Sequence, residues 1–176
     1  TCEQIEEKLK EFKIKLLEAG REGTKFIIVI DSFDDLNSRD QRFSGSNEKS
    51  EWMAKWVKGL MKNYDCIVMC TKHLRKLNGY RRPIQDDLKD SGTVAYEANC
   101  SMLCHNEVGL KGEQADIYYN RDSILEKQPI VEIHFGKNKL SSFKGRVFTE
   151  FIPDFSRVQE CTPEACKQYN SQVFNA

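Results

Sequence analysis

Asp31 ends the apolar run Lys25–Ile30 (KFIIVI). A carboxylate at the C-terminal tip of a buried parallel strand lies at the crevice where open α/β sheets bind ligands. In nucleotide hydrolases an acid in that place holds magnesium, directly or through water. A turn or a helix cap would use the same residue type, so Asp31 needs support from elsewhere in the chain. Asp34 and Asp35 read as solvated loop acids or caps. A second polar cluster, Thr71-Lys72-His73-Leu74-Arg75-Lys76, follows the apolar run Asp65–Thr71 (DCIVMCT). If the two runs are neighbouring strands, a hydrogen-bonding side chain here stands beside Asp31 and can touch a terminal phosphate. The plainer alternative is a basic solvent loop. The third stretch is Arg81–Gly92 (RRPIQDDLKDSG). Between Lys72 and Lys89, the six basic residues Lys72, Arg75, Lys76, Arg81, Arg82 and Lys89 are opposed only by Asp86 and Asp87, a local positive charge suited to phosphates.

These residues need elements to position them. Cys2–Ala19 carries Ile5, Leu9, Phe12 and Leu16 at helical spacing, with charges on the opposite face, and Gly20 and Gly23 end the helix. KFIIVI is the kind of continuous apolar, β-branched run found in strands buried on both faces of a parallel sheet. Asn37–Ser50 is polar and reads as a mobile loop. Glu51–Tyr64 places Trp52, Met53, Trp56, Val57, Leu60 and Met61 at helical spacings, and DCIVMCT is a second buried strand. The two strands and the helix make one βαβ unit. Lys72–Ala95 is irregular, Asn99–His105 is a third short apolar run, and Glu107–Lys127 is a polar extension. Pro129–Phe135 (PIVEIHF) alternates as a strand, Arg146–Ile152 is another, and Gly136–Gly145 joins them as a hairpin. Pro153–Ala176 has little pattern and reads as a tail or a fragment of helix.

The 176 residues suffice for one core and are few for two ordinary domains. Basic and acidic residues cancel at 27 each, so any attraction to nucleic acid must be local. No apolar run approaches the roughly 18 residues of a membrane helix, and the charged, helical N-terminal segment is not a signal peptide. Cys66, Cys70, Cys100 and Cys104 lie inside apolar runs, and the cysteine count of seven is odd. Reduced, buried thiols of a cytosolic protein fit this better than a disulfide framework. Cys100, Cys104 and His105, or Cys161 and Cys166, are spaced more loosely than zinc knuckles. The chain starts at Thr1 rather than Met, as a piece of a longer reading frame would.

The stretch RRPIQDDLKDSGTVAYEAN resembles a segment of DnaB-like replicative helicases of the form R-P-x-x-x-D-L-[RK]-[ED]-S-G, followed by a small residue and a short helix. Other pieces fall in that family's order: KFIIVIDSFDDL resembles its Walker B strand, VMCTKHLRK its third motif, and Gly136-Lys137-Asn138-Lys139 its late G-K-x-R motif. The resemblance spans roughly Lys25 to Ile152. It implies an α/β, RecA-like fold, a mainly parallel twisted sheet flanked by helices, here a partial domain (residues 1–152) with a C-terminal β-hairpin and then a tail (153–176). It implies ATP and magnesium (Mg2+) as cofactors, single-stranded DNA as track, a homo-hexameric ring, a primase or helicase loader as further partners, and the cytoplasm of a bacterial or phage-infected cell. Asp31 matches the Walker B acid that supports magnesium. His73 matches the phosphate-sensing histidine of phage primase-helicases, while Lys72 is the nearest equivalent of the bacterial glutamine. Lys89, Asp90 and Gly92, with Arg81 and Arg82 nearby, match the DNA-gripping loop. Lys137 and Lys139 match the pair that reaches a neighbouring subunit's ATP.

Three departures stand out. No G-x-x-x-x-G-K-[ST] loop occurs in the chain, and in the family this loop and the catalytic glutamate lie upstream of the Walker B strand. As it stands, the chain is expected not to hydrolyse ATP. Lys139 stands where the family has its finger arginine, keeping the charge without the planar fork, and Lys89 replaces the more usual arginine. The rival expectations are a RecA-like ATPase that is not a helicase, and a non-catalytic remnant that binds DNA or joins a ring.

Overall fold

The computed structural model describes residues 1–88, 92–121, 124–127 and 130–174. They form two compact units interleaved in sequence, Thr1–Arg75 with Leu88–Ala98, and Lys76–Asp87 with Asn99–Ala176.

In the first unit, helix α1 (Cys2–Glu18) starts at Thr1, whose hydroxyl caps the Gln4 N–H in a reciprocal capping box. It stops where Gly20 takes a φ of +66°, a left-handed turn that glycine adopts without a Cβ clash. Strands β1 (Ile27–Ile30) and β2 (Ile67–Cys70) pair in parallel, Ile27 opposite Ile67 through Ile30 opposite Cys70. Helix α2 (Ser46–Tyr64) connects them, completing the expected βαβ unit. It begins inside the stretch expected as loop, because the Ser44 N–H and hydroxyl both donate to Glu48, fixing the first turn. A short helix α3 (Gly92–Glu97) belongs to the same unit.

The core of this unit is Cys2, Ile30, Phe33, Leu36, Met53 and Ala54, with Ile28 and Val68 packed against it. The Trp56 indole N–H donates to Glu6 across 2.6 Å and ties α2 to α1. The strands are not buried on both faces, as their composition suggested. Among the described residues they are buried on one. Ile27, Val29, Ile67 and Met69 share the other face and are 59%, 70%, 57% and 47% exposed. Continuous apolar runs are typical of strands covered on both faces, whereas here helices cover one face among the described residues.

The second unit is built on an antiparallel sheet in the order β3 (Cys100–Asn106), β6 (Ile130–Asn138), β7 (Arg146–Ile152) and β8 (Arg157–Glu160). Helix α4 (Glu107–Lys111) and a two-stranded hairpin, β4 (Tyr118–Arg121) with β5 (Ile124–Lys127), occupy the polar extension between β3 and β6. Helix α5 (Pro163–Phe174) closes the chain. Parallel pairing is confined to β1 and β2 among the described residues. The larger sheet is antiparallel, as the short β6–β7 and β7–β8 connections require. Residues 153–174 are not a loose tail, and the alternative of a helix fits Pro163–Phe174: β8 extends the sheet, and Ala165 and Tyr169 of α5 are fully buried with Ile117, Ile130 and Phe148.

All seven cysteines are free. Cys2 is buried, whereas Cys70 and Cys104 are exposed, so the expectation of buried thiols holds for only part of the set. No helix among the described residues is long and apolar enough to cross a membrane.

Candidate functional site

In the first unit the chemistry gathers where β1 and β2 end. The parallel register places Ile30 beside Cys70, so the next residues, Asp31 and Thr71, leave the sheet together. The Thr71 N–H donates to the Ile30 carbonyl at 3.0 Å, the Phe33 N–H donates to the Thr71 carbonyl at 2.8 Å, and the Thr71 hydroxyl donates to Asp31 Oδ1. The Asp31–Ser32 peptide bond is cis. Asp31 and Thr71 are both exposed at this edge, an all-oxygen pair of the kind that suits a hydrated magnesium ion.

Lys72 and His73, the expected phosphate sensors, turn to Asp34 instead. Lys72 Nζ lies 2.6 Å from Asp34 Oδ1 and 5.0 Å above the Phe33 ring, with only 7% of its side chain exposed. The His73 N–H donates to Asp34 Oδ2 at 2.9 Å, and its Nδ1 lies 3.2 Å from the same oxygen. Burial raises the Asp34 pKa, but the Lys72 hydrogen bond and the His73 N–H outweigh it and hold the carboxyl below its usual range. Asp34, expected as a solvated acid, is therefore the clamp that shapes the segment after β2. Lys49 Nζ donates to its carbonyl at 3.0 Å. Of the cluster read from the sequence, the residue brought to Asp31 is Thr71.

The expected DNA loop is described only in part: Lys89 and Asp90 lie outside the described residues, and Gly92 opens α3.

In the second unit, Arg81 and Arg82 are committed to carboxylates. Arg81 makes a fork to buried Asp87 at 2.7 and 2.6 Å, and Asp87 also accepts from the Ile84 N–H at 2.8 Å. Arg82 Nε lies 2.9 and 2.8 Å from the two oxygens of Glu132, and its Nη2 lies 2.6 Å from Glu132 and 3.4 Å from Glu107. Both arginines were expected at DNA. Here both guanidinium groups are engaged by buried carboxylates of their own unit, in the planar bidentate geometry that suits arginine.

Glu107 also accepts from Lys111 at 2.6 Å and from the Asp116 N–H at 3.3 Å. His105, Glu107 and Glu132 bring their ligand atoms within 4.8 Å of one another. Arg82 and Lys111 already neutralise both carboxylates, so a metal ion would have to displace them.

Burial is the main force lowering the His105 pKa, and Arg82 and Lys111 add to it against Glu132 and Glu107. The folded protein therefore keeps the ring neutral, while the unfolded chain takes up a proton near the ordinary value of about 6.5. The resulting stability is complete above about pH 6.5 and lost as pH falls toward the lower folded value. Urea unfolding between pH 7.5 and 5.5 is expected to show this decline, and His105→Gln is expected to flatten it.

Lys137 and Lys139 sit at the end of β6. Lys137 is half-buried in the strand beside Ser101, and Lys139 is exposed, with its N–H donating to the Asn99 carbonyl at 2.8 Å. The glycine before them has a steric reason: a Cβ on Gly136 would lie 2.5 Å from Gln85 Oε1 and 3.2 Å from Leu103 Cδ1. Gln85 accepts there from the Ser101 hydroxyl at 2.6 Å. Sequence reasoning named Thr71 only as one member of a cluster and Asp34 only as a loop acid or cap, and it passed over Gln85 and Glu132. Only Glu132 carried a signal, an acid at the inward position of an alternating strand, two residues after Ile130.

No protein-family model matches the chain. The replicative DNA helicase DnaB of Mycoplasma pneumoniae is 25% identical over 163 residues, 89% of this chain and 33% of that protein. The chain thus spans about a third of the curated relative. Among solved structures, an ATPase domain matches with a TM-score of 0.68 at 16% identity, over 88% of this chain and 51% of that one. A DnaB-like replicative helicase, described with its interactions with primase, matches with a TM-score of 0.71 at 17% identity, over 92% of this chain and 36% of that one. By sequence the chain is similar to part of a replicative DNA helicase, and its α/β fold is similar to the folds of these solved domains over most of its length.

Proposed function

We propose that this chain is part of the ATP-dependent motor of a DnaB-like replicative helicase, a cytoplasmic protein that translocates on single-stranded DNA and unwinds duplex. The observation that carries the reading is Asp31 beside Thr71 at the tips of two parallel strands, where α/β nucleotide hydrolases hold magnesium. The exposed carboxylate and hydroxyl fit a hydrated magnesium ion bound with ATP. The phosphate-cradling loop is not among this chain's residues, so hydrolysis belongs to a longer protein containing it. Lys89, Asp90 and Gly92 are proposed for the DNA backbone, and Lys72 or His73 for relaying the state of the phosphate through Asp34. Lys137 and Lys139 are proposed to act on the ATP of the next subunit in a homo-hexamer, where cations stabilise charge that develops on the γ-phosphate. Primase or a loader would be a further partner.

A second reading has one residue in its favour. Lys139 lacks the bidentate fork of an arginine, which would suit a ring subunit that binds DNA without efficient turnover. Duplex unwinding by the full-length protein with ATP separates the readings. ATP-dependent unwinding supports the motor. DNA binding without ATP turnover favours the second reading, and strand exchange without unwinding would make the protein a RecA-like ATPase of another kind.

A further inference from the structure

Asn138 lies between the two lysines at the end of β6, and its side chain turns into the β6–β7 connection rather than outward. Its Nδ2 donates to Ser141 Oγ at 2.9 Å and to the Phe143 carbonyl at 3.1 Å. Its Oδ1 accepts from the Leu140 N–H at 3.0 Å and the Ser141 N–H at 3.3 Å. A primary amide offers two donors and two acceptor lone pairs, and all four are used. The connection has little else to hold it: Leu140 is 74% exposed, so no core fixes this turn. Other restraints are the Lys139 N–H on the Asn99 carbonyl, the Phe143 N–H on Ser141 Oγ, the Phe135 N–H on the Gly145 carbonyl, and the edge of the Phe143 ring against Phe135, with centroids 5.3 Å apart.

We propose that Asn138 is a positioning residue: its amide sets the backbone at Lys137 and Lys139, and so the placement of both ammonium groups toward a neighbouring subunit's nucleotide. This rests on the reading of the two lysines given above. The chemistry selects asparagine at this position. Aspartate would lose both donors and set a negative charge beside the lysines, and serine is too short to span from Leu140 to Phe143.

The test uses full-length protein and three measurements: steady-state ATP turnover on single-stranded DNA, thermal midpoint, and turnover of mixed rings. Asn138→Ala is expected to lower kcat about tenfold, on the scale by which a small misplacement of a catalytic group slows a reaction. KM for ATP and the thermal midpoint are expected to stay unchanged. Ser141→Ala, which removes one partner of the amide, is expected to act in the same direction with a smaller effect. Mixing Asn138→Ala with Asp31→Asn subunits should restore turnover, because an intact Asp31 site then meets an intact lysine pair next door. Unchanged kcat in Asn138→Ala overturns the proposal. So does a loss that mixing cannot restore when Lys137→Ala, mixed in the same way, is restored. If neither Lys137→Ala nor Lys139→Ala slows turnover, the reading of the lysines fails, and the proposal fails with it.

Discussion

Replacing Asp31 by Asn in the full-length protein is expected to stop ATP turnover while leaving nucleotide binding largely in place. The substitution keeps the side chain's size and an oxygen that can accept from the Thr71 hydroxyl, so the tips of β1 and β2 should stay together. What disappears is the negative charge at the strand end. A magnesium ion needs that charge, directly or through water, whereas most of the grip on the phosphates comes from the phosphate-cradling loop. Turnover should fall by about a hundredfold or more, the scale of losing one preorganised electrostatic contact. Steady-state hydrolysis paired with fluorescent-nucleotide titration checks both halves. Equal turnover in variant and parent would remove Asp31 from the site, and loss of binding along with turnover would point to a collapsed strand edge.

The second large effect concerns stability. Glu132 is 2% exposed and receives three short contacts from Arg82, whose own pKa is raised chiefly by that hydrogen bond. Glu132→Ala leaves a guanidinium partly buried with only the 3.4 Å contact to Glu107 and no second fork. Breaking a buried pair from one side costs about 3–5 kcal/mol, far more than the pair's net contribution, because the remaining charge is stranded. Urea unfolding of the 176-residue chain should show a loss in that range. Arg82→Ala with Glu132→Ala should cost clearly less than the sum of the two single changes. A loss under about 1 kcal/mol would mean that the pair behaves as a solvated surface bridge.

The legible parts of the fold were those with strong local periodicity. The apolar face of α1, the buried stretch of α2 and the β-branched runs of β1 and β2 announced a βαβ unit. The alternation in PIVEIHF announced β6 and its hairpin. β8 and α5 did not announce themselves: RVQE holds a single apolar residue, and α5 buries Ala165 and Tyr169, with Cys166 and Val173 packed beside the same core, among polar residues that break up the pattern. At the site, Asp31 was readable because a strand tip follows from the run that precedes it. The residue beside it was not, since a step of one along an extended chain moves a side chain to the opposite face. That step separates Thr71, which reaches Asp31, from Lys72, which packs on Phe33. Arg81 and Arg82 were read from local charge alone. Glu132 lies fifty residues further on, and only the folded sheet brings it to Arg82.

The bare face of β1 and β2 bears on how this polypeptide behaves in a tube. Four large apolar side chains stand on one face of a two-stranded ribbon, and each strand has an unpaired edge among the described residues. Such a surface attracts any other apolar surface, and its edges offer hydrogen bonds to any extended chain. Concentrating the polypeptide therefore favours clumping through this one side, while a net charge of zero removes the long-range repulsion that would keep molecules apart.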